Sequence, residues 1–253
     1  AEEGYPGVYA RVGAFNDWVD SITKGIAIEQ NLDFGAVAVG STNSRTITLT
    51  NNSEIDASLT FELIGDGLSA DHSACNTIET GKSCEVTINY SANSASDVTG
   101  FFKVISDDIS VKTSRTYITA IALEAADELE SSLSNNDAIF WFSGGNQAWR
   151  VNTAPEGGTV SGGISDSQKS ILLAQVTGSG TLSFEWAVSS EENTDDPSDP
   201  YDALFLYVNG VLHNYISGEQ SFNTVEIDLE DGINNVYWVY EKDAATSSFK
   251  DES

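Results

Sequence analysis

Apolar residues in this chain recur at every second position, over runs of strand length. Val86-Thr87-Ile88-Asn89-Tyr90, Thr46-Ile47-Thr48-Leu49, Leu59-Thr60-Phe61-Glu62-Leu63 and Tyr117-Ile118-Thr119-Ala120-Ile121 all follow this pattern. A period of two puts alternate side chains on opposite faces of a pleated strand. Each such strand has one face to bury, so it needs neighbouring strands and a second layer. Polar stretches that read as turns separate the runs: Asn51-Asn52-Ser53, Gly65-Asp66-Gly67 and Ser91 to Ser96. Short strands with polar turns between them predict a β-sandwich over residues 28–123.

Residues 136–253 are strand-rich again and more aromatic. Leu182, Phe184, Trp186 and Val188 fall on one face of a strand. Leu204-Phe205-Leu206-Tyr207-Val208 meets Val211-Leu212 across Asn209-Gly210, a two-residue hairpin signal. Val236-Tyr237-Trp238-Val239-Tyr240 reads as a last buried strand. Trp141, Trp149, Trp186 and Trp238 all lie here, and in a sandwich such residues are expected in the core. Residues 124–135 are acidic and lack alternation, so they read as a linker or short helical connector. Residues 1–27 end in a short helix, capped by Asn16 or Asp17 and closed at Lys24-Gly25, with Trp18, Val19 and Ile22 on its apolar face. A piece this short cannot build its own core and must pack on something else.

Charge narrows the function classes. The chain carries 39 acids and 11 bases, a formal net charge of -28. Residues 124–253 hold 23 of the acids and 4 of the bases. Such a surface repels phosphate backbones, so no nucleic-acid partner is expected. No apolar run approaches the roughly 18–20 residues that span a bilayer, so no membrane span is expected in this stretch. Methionine is absent even at residue 1, so the start is read as processed or truncated. Two cysteines and two histidines make a zinc site a poor expectation. Cys75 and Cys84 would be thiols inside a cell, whereas exported domains use such pairs as staples.

Three stretches resemble known families. Gly4 to Ile22, with Pro6, Gly7, Val8, Tyr9, Arg11, Val12, Phe15, Trp18 and Val19, resembles the end of a trypsin-like (chymotrypsin-family) serine protease. The resemblance implies that Gly7 and Tyr9 belong to the wall of a primary specificity pocket. It also implies that the catalytic His, Asp and Ser come earlier in such a protein, in a protease domain upstream. No Gly-Asp-Ser-Gly motif occurs here, and His72 and His213 are expected to be surface or structural residues. No catalytic residue is therefore assigned to this stretch. Leu32-Asp33-Phe34-Gly35-Ala36-Val37, Ile47 to Asn51, Gly81-Lys82-Ser83-Cys84 and Val86 to Tyr90 are similar to Ig-like domains of the abnormal-spindle/hydin type. In that family the two cysteines pair, which implies a Cys75–Cys84 disulfide. Gly178 to Trp186, Leu206 to Gly210 and Trp238 to Asp243 resemble MAM-like jelly-roll repeats of secreted bacterial proteins. Those repeats close with a further Asp-containing strand, so a truncated sandwich is expected.

The fold class is accordingly read as all-β: two β-sandwiches, Ig-like then jelly roll, preceded by the last strand and C-terminal helix of a trypsin-like double β-barrel. The domains are read as 1–27, 28–123, a linker at 124–135, and 136–253. The combined resemblance, which extends to surface-anchored proteases of Vibrio-like bacteria, implies a secreted or cell-surface location. It implies the non-catalytic C-terminal region of a secreted serine endopeptidase, its accessory domains serving targeting, spacing or substrate recognition. The alternative is an extracellular module that binds carbohydrate or a surface protein without enzymatic activity. Glu191, Glu192, Asp195, Asp196, Asp199 and Asp202 crowd one stretch. Oxygen ligands at that density suit calcium, with Asp195, Asp196, Asp199 and Asp202 as the candidate ligands.

Overall fold

The computed structural model describes residues 16–133, 136–154, 157–196 and 198–244; the side chains of Asp17 and Trp18 lie outside the description. The chain packs as two units. The first takes in the described part of Ala1–Leu32, with Thr42–Tyr90 and Val98–Thr119; the second takes in Asp33–Ser41, Ser91–Asp97 and the described part of Ala120–Ser253.

The first unit opens with the helix α1, Asn16–Lys24. Asp20 and Lys24 pair one turn apart, at 3.6 Å. The helix stops where expected, but Gly25 is not in a left-handed conformation. It is needed for a close approach instead: the Lys112 carbonyl occupies the space a Cβ would fill, and Ile26 donates to that carbonyl at 2.8 Å. Nine strands follow: β1 Ile26–Ala27, β2 Asn31–Ala38, β3 Thr42–Asn51, β4 Ala57–Ile64, β5 Leu68–Asp71, β6 Thr77–Ile78, β7 Ser83–Ser91, β8 Ser96–Ser106 and β9 Arg115–Ala125. One sheet runs β1-β3-β7-β5, and β9, β8, β4 and β6 lie side by side in another. The alternation read from sequence decides the burial. Ile47 and Leu49 of β3, Val86 and Ile88 of β7, Phe102 and Val104 of β8 and Ile118 of β9 are all 0% exposed.

Cys75 and Cys84 are bonded, with Cα atoms 5.6 Å apart. Cys75 ends a 3-10 turn, Ser73–Cys75, and Cys84 lies in β7. Closing a ten-residue loop contributes about 2–3 kcal/mol on the chain-entropy account. Replacing both cysteines with serine is expected to lower unfolding free energy by about that amount. Urea titration measures it, and thiol assay of the unfolded, unreduced protein should find no free thiol.

The second unit adds β10 Ile139–Gly145, β11 Arg150–Val151, β12 Thr159–Val160, β13 Lys169–Thr177, β14 Gly180–Ser189, β15 Ala203–Val208, β16 Val211–Ser217, β17 Glu219–Leu229 and β18 Ile233–Glu241. Its main sheet is ordered β16-β15-β18-β13-β10, while β14 pairs with β17 and β11 with β12. The β15–β16 turn forms as its sequence dictates: Asn209 and Gly210 both have positive φ, 51° and 86°, as a tight hairpin turn requires.

The central strands of the main sheet, β13 and β18, are buried on both faces. Val236, Trp238 and Tyr240 of β18, with Leu172, Ala174 and Val176 of β13, join one core, to which β14 and β17 contribute Trp186, Val188 and Ile227. Leu182 and Phe184 pack against the same cluster, as the single-face reading of β14 expects. Tyr237 and Val239 alternate to the other face and meet Ile171 and Leu173 and, from the parts of β2 and β9 that belong to this same unit, Ala36, Ala38 and Leu123. All four of the second unit's tryptophans are buried. Within residues 124–135, Glu124 and Ala125 extend β9, Asp127–Leu129 form a 3-10 turn, and Leu129 is 0% exposed in the first of these cores.

Candidate functional site

Gly7 and Tyr9, the pocket-wall residues implied by the protease resemblance, lie outside the described residues. The two histidines lie in separate units. The His72 ring lies against Phe61, centroids 4.4 Å apart, and His213 is exposed on β16.

The acidic stretch is organised by an amide. Asn193, 7% exposed, accepts the backbone N–H groups of Asp195 and Asp196 on Oδ1, and its Nδ2 donates to the Asp199 carbonyl at 2.8 Å. Asp196 turns back on its own loop, accepting both the N–H and the hydroxyl of Ser198. The Ser198 hydroxyl and then its N–H hold the Asp196 carboxyl below the usual carboxylate range. Asp202 stands elsewhere: it is 1% exposed, its Oδ1 accepts the Asp243 N–H at 3.0 Å, and its Oδ2 lies 3.8 Å from Lys242 Nζ. The four aspartates proposed as calcium ligands are therefore not gathered. Among the described residues no three His, Cys, Asp or Glu side chains are grouped to hold a metal ion.

Beside this loop is a shallow cavity of about 260 Å³, lined in part by Glu192, Asn193, Pro200, Tyr215, Ser217 and Gln220. Carboxylate, amides, hydroxyl and one aromatic ring are groups that receive a hydroxyl-rich or cationic ligand. A polar knot underlies it. Ser217 Oγ donates to the carbonyls of both Asp202 (2.7 Å) and Glu191 (3.1 Å). Ser190 Oγ donates to the Asp202 carbonyl and accepts the Gly218 N–H. Sequence reading missed Asn193, Ser190 and Lys242. Only the unusual placement of a lysine directly after an apolar strand signals the last of them.

The tyrosine hydroxyl at Tyr207 is pushed up by burial first, then by the nearby charges of Glu241 and Asp33. Its ring stacks on Tyr237 at 4.9 Å, so it serves the core. Among the described residues no helix is long and apolar enough to cross a membrane.

These features define an all-β chain of Ig-like sandwich architecture. Residues 26–121 match the family described as HYDIN/CFA65/VesB-like, Ig-like domain. Among solved structures, the secreted serine protease VesC of Vibrio cholerae is 24% identical with a TM-score of 0.53, over 98% of this chain and 53% of that one. This chain thus spans about half the length of the VesC structure. The Vibrio cholerae VesB protease is 24% identical over 47% of this chain and 39% of that one, with a TM-score of 0.38. The ASH/PapD-like domain 7 of human CEP192 is 12% identical over 50% of this chain and 96% of that one, with a TM-score of 0.34. Comparison with curated proteins found no match.

Proposed function

We infer that this chain is the non-catalytic C-terminal region of a secreted trypsin-like serine endopeptidase. Its Ig-like and jelly-roll domains position the enzyme or select its targets outside the cell. The observation that carries this reading is the dense protease-like ending from Gly4 to Ile22, set directly before the Ig-like domain. The fold shared with VesC along nearly the whole chain supports it, because VesC is itself a secreted serine protease. On this reading residues 1–27 close a protease domain, and Gly7 and Tyr9 line its specificity pocket.

The chemistry requires a nucleophile beside a base, and aligned donors for the oxyanion. All of these belong to the upstream protease domain, so the 253-residue chain is expected to turn over no peptide. A longer protein bearing that domain is expected to cleave after Arg or Lys, since a glycine at position 7 leaves room for a long side chain. Chromogenic peptides ending in Arg, Lys, Phe or Ala, assayed on both proteins, test this. Turnover by the purified chain refutes the reading, and turnover by the longer protein confined to Ala refutes the open pocket.

The cavity beside Tyr215 favours a second role for the jelly-roll domain, binding a glycan or a surface protein. Titration of glycans against the chain, with Tyr215→Ala as the comparison, separates that role from passive spacing.

A further inference from the structure

The buried pair of Asp202 and Lys242 is set by strand register. β15 and β18 are antiparallel, with Ala203 opposite Glu241 and Leu204 opposite Tyr240. Extending that register by one residue places Asp202 opposite Lys242. Residues in that relation have Cβ atoms about 4.5–5.5 Å apart, within reach of a lysine amine. The side chains are 2% and 6% exposed, and Nζ lies 3.8 Å from Oδ2. Removing two charges this completely from water is costly, and a reaction that consumes both charges removes that cost.

We propose that Lys242 and Asp202 condense into an intramolecular amide bond. Lys242 Nζ attacks Asp202 Cγ, the Cγ–Oδ2 bond breaks, and Oδ2 leaves as water. The balance is internal. An ammonium and a carboxylate become an amide that keeps one N–H, and the two remaining protons depart with the oxygen. No oxidant, nucleotide or metal takes part. As Cγ becomes tetrahedral, negative charge gathers on Oδ1, which already accepts the Asp243 N–H at 3.0 Å. A fixed backbone donor aimed at the atom where charge develops lowers such a barrier.

The protons pass from Nζ to the leaving Oδ2, its partner in the pair. The product joins β15 to the end of β18 by a link that survives unfolding and reduction.

The test is mass spectrometry of the reduced, denatured 253-residue chain. The expected intact mass is one water below that of the sequence. Tryptic mapping should recover a branched peptide joining Asp202 to Lys242, with no cleavage after Lys242. Mapping also separates this from dehydration elsewhere in the chain. Lys242→Arg keeps the charge pair but is expected to have the full mass of its own sequence. A wild-type chain of full sequence mass, cleaved normally after Lys242, overturns the proposal. Because mass is the readout, the result is independent of whether any peptidase is found upstream.

Discussion

Replacing Trp238 with alanine is expected to lower the stability of the second unit by about 3–5 kcal/mol, the range for a large aromatic removed from a packed core. Trp238 is 5% exposed and sits at the centre of β18. Its ring takes the Phe184 ring edge-on at 4.9 Å and lies 6.3 Å from that of Trp141, so three strands lose contacts together. The cavity cannot close readily, because Val236 and Tyr240 on either side face the same core and are themselves buried. Urea unfolding followed by circular dichroism measures the loss as a lower midpoint at similar slope. Ile233→Ala is the comparison: the residue is on the same strand but 64% exposed, and a change within about 0.5 kcal/mol is expected. Equal effects from the two substitutions would show that β18 does not present Trp238 to the core.

Asn51→Asp is expected to destabilise the first unit by about 3 kcal/mol or more, although it changes no volume, because several buried groups lose partners at once. Asn51 is 0% exposed at the end of β3. Its Nδ2 donates to the carbonyls of Ile55 and Ile78, both at 2.8 Å, while Oδ1 accepts the N–H and hydroxyl of Ser53. An aspartate puts a charged oxygen where those two carbonyls need a donor. Asn51→Ala leaves the carbonyls unpaired but adds no charge, so its cost should fall below that of the aspartate. Denaturant titration of both variants measures the order. An aspartate variant within 0.5 kcal/mol of wild type would mean the amide is not the hub that holds residues 52–56 against β6.

Much of the fold is legible in the alternation alone. Ile47 and Leu49, or Val86 and Ile88, are buried because a pleated strand sends them to one face, and no distant information is needed to know it. Asn209-Gly210 likewise fixes its hairpin locally, since few residue pairs adopt positive φ twice in succession. The buried faces of β14 and β18 were readable in the same way. Asn51 was not. A fully satisfied buried amide and an exposed turn asparagine have the same letter and the same Asn-Asn-Ser context, and only the carbonyls of Ile55 and Ile78 distinguish them.

The candidate site shows the same division more sharply. Density of acids along residues 191–202 predicted convergent ligands, but density in sequence does not set where side chains point. Asn193 and Ser198 satisfy the loop internally, and Asp202 is drawn away to Lys242. By itself the sequence determined which residues form strands, which faces are apolar and where the chain resembles known modules. Only the tertiary structure decided that β13 and β18 are buried on both faces, and that Gly25 is required by the Lys112 carbonyl. It alone brought Asp202 and Lys242, forty residues apart, out of water together. The reason is physical: periodicity is a property of neighbouring residues, whereas register between strands, and with it every long-range pairing, is fixed only when the sheets assemble.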